Sequence, residues 1–287
     1  VPQSIEELTD LLELEEIEVG LFRGRQPDTK LQRAFGGQVL AQALTAAVRT
    51  APADRYAHSL HGYFLLPGRT DTPMVYDVEA VRDGGSFSSR RVVARQGGQV
   101  IFYLSASFHR QEQGFEHADP VPPDVPGPAE CPRLSEVMAR LSGRSADFWD
   151  HEWGALDVRY VGDSRPGGSL EDGVRPAQAR VWVRADGDLP DSLPLHQAVL
   201  AYASDLTLLS ASTVPHGVMI GLNVQAASID HAMWFHRPFR ADRWLLYDQV
   251  SPSASSGLGL STGRLFQDGT LVANVAQEGL IRPLKQQ

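Results

Sequence analysis

A chain of 287 residues, 42% apolar and 21% charged, has the composition of a globular protein with room for one large or two ordinary domains. Its formal charge of −9 argues against nucleic acid or an anionic membrane surface as a partner, so an anionic ligand would need a local basic patch. The lone cysteine, Cys131, excludes an internal disulfide and a cysteine-based metal site, and no apolar run approaches the ~18 residues of a membrane-spanning helix.

Ser4-Ile-Glu-Glu7 has the pattern of a capping box and opens a short helix through about Leu14. Ile17 to Arg23 alternates like a strand. Phe35 to Thr50 reads as a helix, with Val39, Leu40, Ala43, Leu44, Ala47 and Val48 at three- and four-residue spacings and Pro52 as its stop. It carries so little charge that it is expected to be buried on most sides. Four strands follow, over His58–Leu66, Met74–Arg82, Ser86–Ala94 and Val100–His109, punctuated by Pro67-Gly68, Asp83-Gly-Gly85 and Gly97-Gly98. Residues 118–134 hold six prolines and read as an extended connector, with a second helical stretch over Leu134–Leu141. Beyond it the order repeats. Leu156–Val161 and Ala179–Ala185 are strand-like, Leu193 to about Ser212 is an apolar helix, and strands run near Val218–Phe235, Trp244–Val250, Gly257–Gln267 and Leu271–Ile281. A helix apolar nearly all round needs a sheet curved about it, which predicts an α+β fold of two tandem units. The expected division is 1–117, a connector over 118–150, and 151–287.

The repetition is also visible residue by residue. Pro238 lies 171 positions after Pro67, and the same offset relates Phe235 to Phe64, Tyr247-Asp248 to Tyr76-Asp77, Gln267 to Gln96 and Gly269 to Gly98, without a gap. The chain therefore reads as a duplicated and fused unit. The copies differ in polar residues, which points to chemistry kept in one of them. Asp205 sits within the apolar helix of the second copy, where a carboxylate is costly unless paired or hydrogen-bonded. It reads either as a structural carboxylate held by a neighbouring hydroxyl or arginine, or as a general base in an apolar cleft. Ser228 is a strand hydroxyl or a site group. Gln277 interrupts an apolar strand where the first copy has Ala106, and is likewise a sheet hydrogen-bonding group or a site group.

Phe35-Gly-Gly-Gln-Val-Leu-Ala-Gln-Ala-Leu44, His61-Gly-Tyr-Phe-Leu-Leu-Pro-Gly68, Asp205 in its helix, Ser228-Ile-Asp-His-Ala-Met-Trp-Phe-His-Arg237 and Gln277-Glu-Gly-Leu-Ile-Arg282 together resemble the acyl-CoA thioesterase II family over nearly the whole chain. The resemblance implies a double hotdog fold, each unit a curved antiparallel sheet wrapped on a central helix. It also implies hydrolysis of fatty acyl-CoA to free acid and coenzyme A, with a water held by Asp205, Ser228 and Gln277, Ser228 standing where the family has Thr or Ser. Neither a metal nor a redox cofactor is implied. Dimers or larger homo-oligomers are expected, as is a cytoplasmic location. Val1-Pro-Gln-Ser-Ile-Glu-Glu7 has no signal-peptide pattern, and Leu284-Lys-Gln-Gln287 contains no peroxisomal or retention tripeptide. The alternatives are a hotdog hydratase or dehydratase, which would pair an Asp with a His, and an acyl-CoA-binding module without activity.

Other patterns compete with that reading. Gly259-Leu-Ser-Thr-Gly263 matches G-x-S-x-G, but a nucleophile elbow needs a strand, a sharp turn and a helix, and here a strand continues. His58/His61 and His231/His236 are spaced so that strand geometry points them to opposite faces, which disfavours a metal, and Asp230-His231 face apart for the same reason. Arg82, Arg90, Arg91, Arg95, Arg184, Arg237 and Arg264 could meet coenzyme A phosphates but read better as solvated strand charges.

Overall fold

The computed structural model describes residues 1–171, 173–175 and 177–284; the terminal Lys285-Gln-Gln287 read above lies outside them. Helix α1 (Ile5–Leu12) is capped by Ser4, whose hydroxyl accepts from Glu7 N–H. The single strand expected over Ile17–Arg23 is instead a hairpin, β1 (Glu15–Glu18) and β2 (Leu21–Gly24), because Gly20 supplies the positive φ of 77° that turns the chain. Helix α2 (Gly36–Thr50) follows, then the meander β3 (Tyr56–Phe64), β4 (Met74–Asp83), β5 (Phe87–Gln96) and β6 (Gln99–His109). The connector carries α3 (Leu134–Ser142) and α4 (Ala146–Trp153), the latter without a counterpart among the expected elements. The second half comprises β7 (Leu156–Asp163), β8 (Gln178–Ala185), α5 (Leu193–Ser204), β9 (Val224–Ser228), β10 (Asp230–Phe235), β11 (Leu245–Ser255), β12 (Leu258–Gln267) and β13 (Thr270–Pro283).

The 171-residue offset survives in three dimensions as strand register. Leu60 pairs with Ala106, as His231 stands opposite Gln277 one step beyond the Ala232–Ala276 pair. Arg90 pairs with Ala106 as Ser261 with Gln277, and Val78 with Val92 as Gln249 with Gly263. The repeated glutamines do the same work in both copies. Gln96 Oε1 accepts from Arg69 N–H while its Nε2 donates to Arg69 O, and Gln267 treats Arg240 likewise. Each staples the loop before its meander to the turn that closes it.

The two units share one antiparallel path in the order β1-β2-β4-β5-β6-β3-β10-β13-β12-β11-β8-β7, with β9 alongside β13. They join where β3 pairs with β10, and there His61 faces Ala232, its own counterpart at the same offset. An approximate two-fold axis thus passes through the joint, as in the self-complementary contact of a symmetric dimer. Helices α2 and α5 lie against each other beneath the sheet, and one hydrophobic cluster runs through both halves, from Leu40 and Phe102 to Leu200 and Leu265. This is the double hotdog of α+β class.

Two expectations need correction at the place where the site forms. The apolar helix expected to reach Ser212 ends as α-helix at Ser204. Leu206 N–H bonds back to Ala203 O at 3.1 Å, and after Thr207 the chain resumes as a 3-10 helix over Leu208–His216. Asp205 therefore occupies the C-cap and not mid-helix. The strand expected over Val218–Phe235 begins only at Val224 and breaks at Ile229, whose N–H bonds to Glu278 O while its O accepts from Phe64 N–H.

Candidate active site

These two breaks bring three distant residues together. Ending α5 at Ser204 turns the Asp205 side chain down onto the sheet, and the interruption between β9 and β10 leaves Ser228 facing it. Gln277 reaches in from the neighbouring β13. Its Nε2 donates to Asp205 Oδ1 at 2.5 Å and to Ser228 Oγ at 2.9 Å, while the Ser228 hydroxyl donates to the same Oδ1 at 3.3 Å. The three groups close a triangle of hydrogen bonds across 72 residues of sequence. Gln277 is fully buried, the Asp205 side chain is 5% exposed, and Ser228 is half-buried, so the triangle opens on the Ser228 side.

A fourth contribution comes from the other half of the molecule. Helix α2 begins at Gly36 without a side-chain cap, and its N-terminus points at Asp205, which accepts from Gly37 N–H. A carboxylate at a helix N-terminus answers unpaired N–H groups and the positive end of the helix dipole. The close approach requires glycine. A Cβ on Gly36 would lie 2.5 Å from Asp205 Oδ2, and one on Gly37 would lie 2.3 Å from the Tyr202 carbonyl. Sequence reasoning noted Phe35-Gly-Gly-Gln38 only as part of a resemblance. The signal available was a pair of glycines opening an apolar helix with no capping side chain ahead of them.

Burial pushes the Asp205 carboxyl up to about 6, against the pull of Gln277, Ser228 and the Gly37 N–H. His231 is also fully buried, and desolvation lowers it to about 3, so the imidazole is neutral near pH 7. Its Nδ1 lies 3.8 Å from Asp205 Oδ1, which for a neutral ring is a polar contact and not an ion pair. Its Nε2 is 2.9 Å from Ser204 Oγ; that hydroxyl donates to Ala201 O, so Nε2 carries the ring proton. The site thus combines a desolvated carboxylate, two groups that orient hydrogen bonds about it, and a helix N-terminus. That set can take a proton from water and meet a developing negative charge.

The competing patterns resolve elsewhere. Ser261 sits within the regular strand β12, not at an elbow. His58 Nε2 contacts Ser107 Oγ, His61 packs edge-on against Trp234, and His236 contacts Asn274. Among the described residues no group of three His, Cys, Asp or Glu is arranged to hold a metal. Asp230 accepts from Glu278 N–H instead of engaging His231. Of the arginines, Arg90 is not a solvated charge. It is 2% exposed and donates to Thr50 and Asp83, while Arg184 engages Asp157 and Arg264 engages Asp248.

Comparison with known proteins gives a consistent answer. The family model described as acyl-CoA thioesterase matches residues 160–280, and that of the acyl-CoA thioesterase N-terminal domain matches residues 25–109. Acyl-CoA thioesterase 2 of Haemophilus influenzae is 37% identical, with 96% of each chain covered. Acyl-coenzyme A thioesterase 8 of Homo sapiens is 39% identical over 96% of this chain and 88% of its own. The crystal structure of an acyl-CoA thioesterase II, TesB2, from Mycobacterium marinum is 43% identical, superposes with a TM-score of 0.83, and covers 98% of this chain and 99% of its own.

Proposed function

The chain belongs to the acyl-CoA thioesterase family, and from that premise we propose that it hydrolyses fatty acyl-CoA to free acid and coenzyme A by direct attack of a water held by Asp205, Ser228 and Gln277. The observation that carries this reading is the closed triangle on Asp205 Oδ1, set on the N-terminus of α2. Asp205 takes a proton from the water as its oxygen attacks the thioester carbon. Gln277 fixes the Asp205 carboxylate and the Ser228 hydroxyl, and through these two the water is held in one orientation, which lowers the entropic part of the barrier. For the tetrahedral oxyanion the candidate donor is the N–H of the half-buried Gly36, since Gly37 N–H is spent on Asp205 and those of Gln38 and Val39 on the Phe35 carbonyl. Collapse breaks the C–S bond, and the departing thiolate takes the proton from Asp205.

The hydratase alternative would use an Asp–His pair, and His231, held neutral with its Nε2 proton donated to Ser204 Oγ, is poorly set for that work. A binding module would gain nothing from a buried carboxylate that burial destabilises. Purified protein should release free thiol from short-, medium- or long-chain acyl-CoA, and Asp205→Asn should lower the rate by about 10²- to 10⁴-fold. Equal rates for parent and variant would refute the assignment of the base, and tight acyl-CoA binding without release would support the module.

A further inference from the structure

Behind the triangle lies a row of buried polar side chains that the mechanism does not use. On three consecutive strands, β13, β12 and β11, the inward-facing positions hold Gln277, Ser261 and Gln249, each fully buried. Ser261 is the direct cross-strand partner of Gln277, and Gln249 pairs with Gly263, two residues along β12 on the same face. Each of the three carries an atom without a protein hydrogen-bond partner among the described residues: Gln277 Oε1, Ser261 Oγ and Gln249 Oε1. Three such atoms in one patch of core are costly unless something joins them.

Their chemistry is complementary to a single molecule. The amide of Gln277 has its Nε2 committed to Asp205 and Ser228, which fixes Oε1 as an acceptor. The amide of Gln249 has its Nε2 committed to Thr207 Oγ1 at 2.7 Å, which fixes its Oε1 likewise. Ser261 has a hydroxyl proton to give. One water accepting from Ser261 and donating to both glutamine oxygens satisfies all three groups, within the two to four partners that buried waters ordinarily have. The first copy lacks the need. At the equivalent positions it has Ala106, Arg90 and Val78, and the guanidinium of Arg90 is spent on Thr50, Asp83 and backbone carbonyls. The polar row belongs only to the copy that holds Asp205.

We propose that Ser261 and Gln249 hold a second buried water, and that through it they act as positioning residues that keep the Gln277 amide turned with Nε2 toward Asp205 and Ser228. Without that water the Gln277 amide is free to turn over and present Oε1 to the carboxylate. Asp205 then loses its shortest hydrogen bond, and its protonated form is favoured. The titratable groups facing Asp205 are His231 of β10 and Tyr247 of β11; α2, β9 and β13 present Gly36, Gly37, Ser228 and Gln277, none of which titrates. Burial lowers His231 and raises Tyr247, so both stay neutral through the assay range and the acid limb reports Asp205. The role explains why a G-x-S-x-G sequence lies in a plain strand. Gly259 and Gly263 give room to Ser212 and the Tyr247 ring, and Ser261 between them serves the water.

The inference rests on the thioesterase reading for its kinetic arm but not for its structural one. A crystal structure of the parent protein near 1.5 Å resolution is expected to show an ordered water within hydrogen-bond distance of Ser261 Oγ, Gln277 Oε1 and Gln249 Oε1; clear density without it overturns the proposal. In thiol-release assays Ser261→Ala is expected to lower kcat by about tenfold with KM little changed, and to move the acid limb of the pH profile upward. Because Ser261 and Gln249 share one water, Gln249→Met should cost less in the Ser261→Ala background than in the parent, the remainder being its bond to Thr207 Oγ1. Additive effects, or a Ser261→Ala enzyme with the parent's kcat and acid limb, contradict the shared water. Complete loss of turnover with a trapped acyl group on the parent's Ser261 would make that residue a nucleophile instead. A parent that releases no thiol from any acyl-CoA defeats the thioesterase reading, and the density then decides the water site alone.

Discussion

At the scale of single residues, the site is a balance between burying a carboxylate and keeping it useful. Asp205 rises from 3.8 to about 6 because burial outweighs three hydrogen bonds. Below the ordinary carboxylate range it is neutral in folded and unfolded chains alike. Between about pH 4 and about pH 6 the unfolded chain ionises this group while burial keeps it protonated in the folded one, so stability is lost across that window, by about 3 kcal/mol in all for a shift near two units, and the loss is complete above it. Under the proposed mechanism activity runs the other way, since a general base works only when ionised. The kcat/KM profile should therefore show an acid limb near pH 6. Asp205→Asn, whatever its activity, should melt several degrees above the parent at pH 8, with the gap closing toward pH 4. A gap independent of pH, followed by thermal denaturation, would contradict the linkage. That Asp205 was out of place could be read from the sequence, because a carboxylate in an apolar helix is anomalous on composition alone. Ser228 and Gln277 could not be separated there from ordinary strand residues; their roles depended on resemblance and are a matter of register and strand breaks.

At the scale of elements, the decisive features are where elements stop. The long apolar stretch from Leu193 looks like one helix because α- and 3-10 helices bury similar residues, yet the change at Ser204 is what delivers Asp205 to the sheet. The break at Ile229 was equally hidden, since both sides alternate like one strand. The α2–α5 contact depends on backbone proximity that only glycine allows. Gly37→Ala would drive a Cβ into the Tyr202 carbonyl, which belongs to the helix backbone and cannot step aside cheaply. The expected cost is about 1–3 kcal/mol of stability in urea unfolding, together with lower kcat, because the shift separates the α2 N-terminus from Asp205. Unchanged stability and turnover would show that the helices tolerate the extra atom.

At the scale of the whole molecule, the duplication was legible because its markers are turns, staples and the buried tyrosines Tyr76 and Tyr247, whose hydroxyls bond from the sheet to Gln42 of α2 and to the Ser204 carbonyl of α5, and such roles need particular residues at particular positions. The fusion of the two sheets was not legible, since pairing between β3 and β10 requires only edges of matching length. That joint carries an expectation of its own. Residues 1–117 expressed alone expose the β3 edge and the face of α2 that meets α5. Through the near-self-complementary pairing about His61 they should associate as a homodimer by light scattering. A folded monomer would show that the joint contributes little.

The central claim, that Asp205 activates water and does not itself attack the thioester, is tested most directly by a single turnover in ¹⁸O-water with enzyme in excess over acyl-CoA. Direct attack predicts one ¹⁸O in the fatty acid from the first turnover and none in Asp205. Label found in the Asp205 carboxylate, with unlabelled acid released, would instead establish a covalent anhydride and contradict the account.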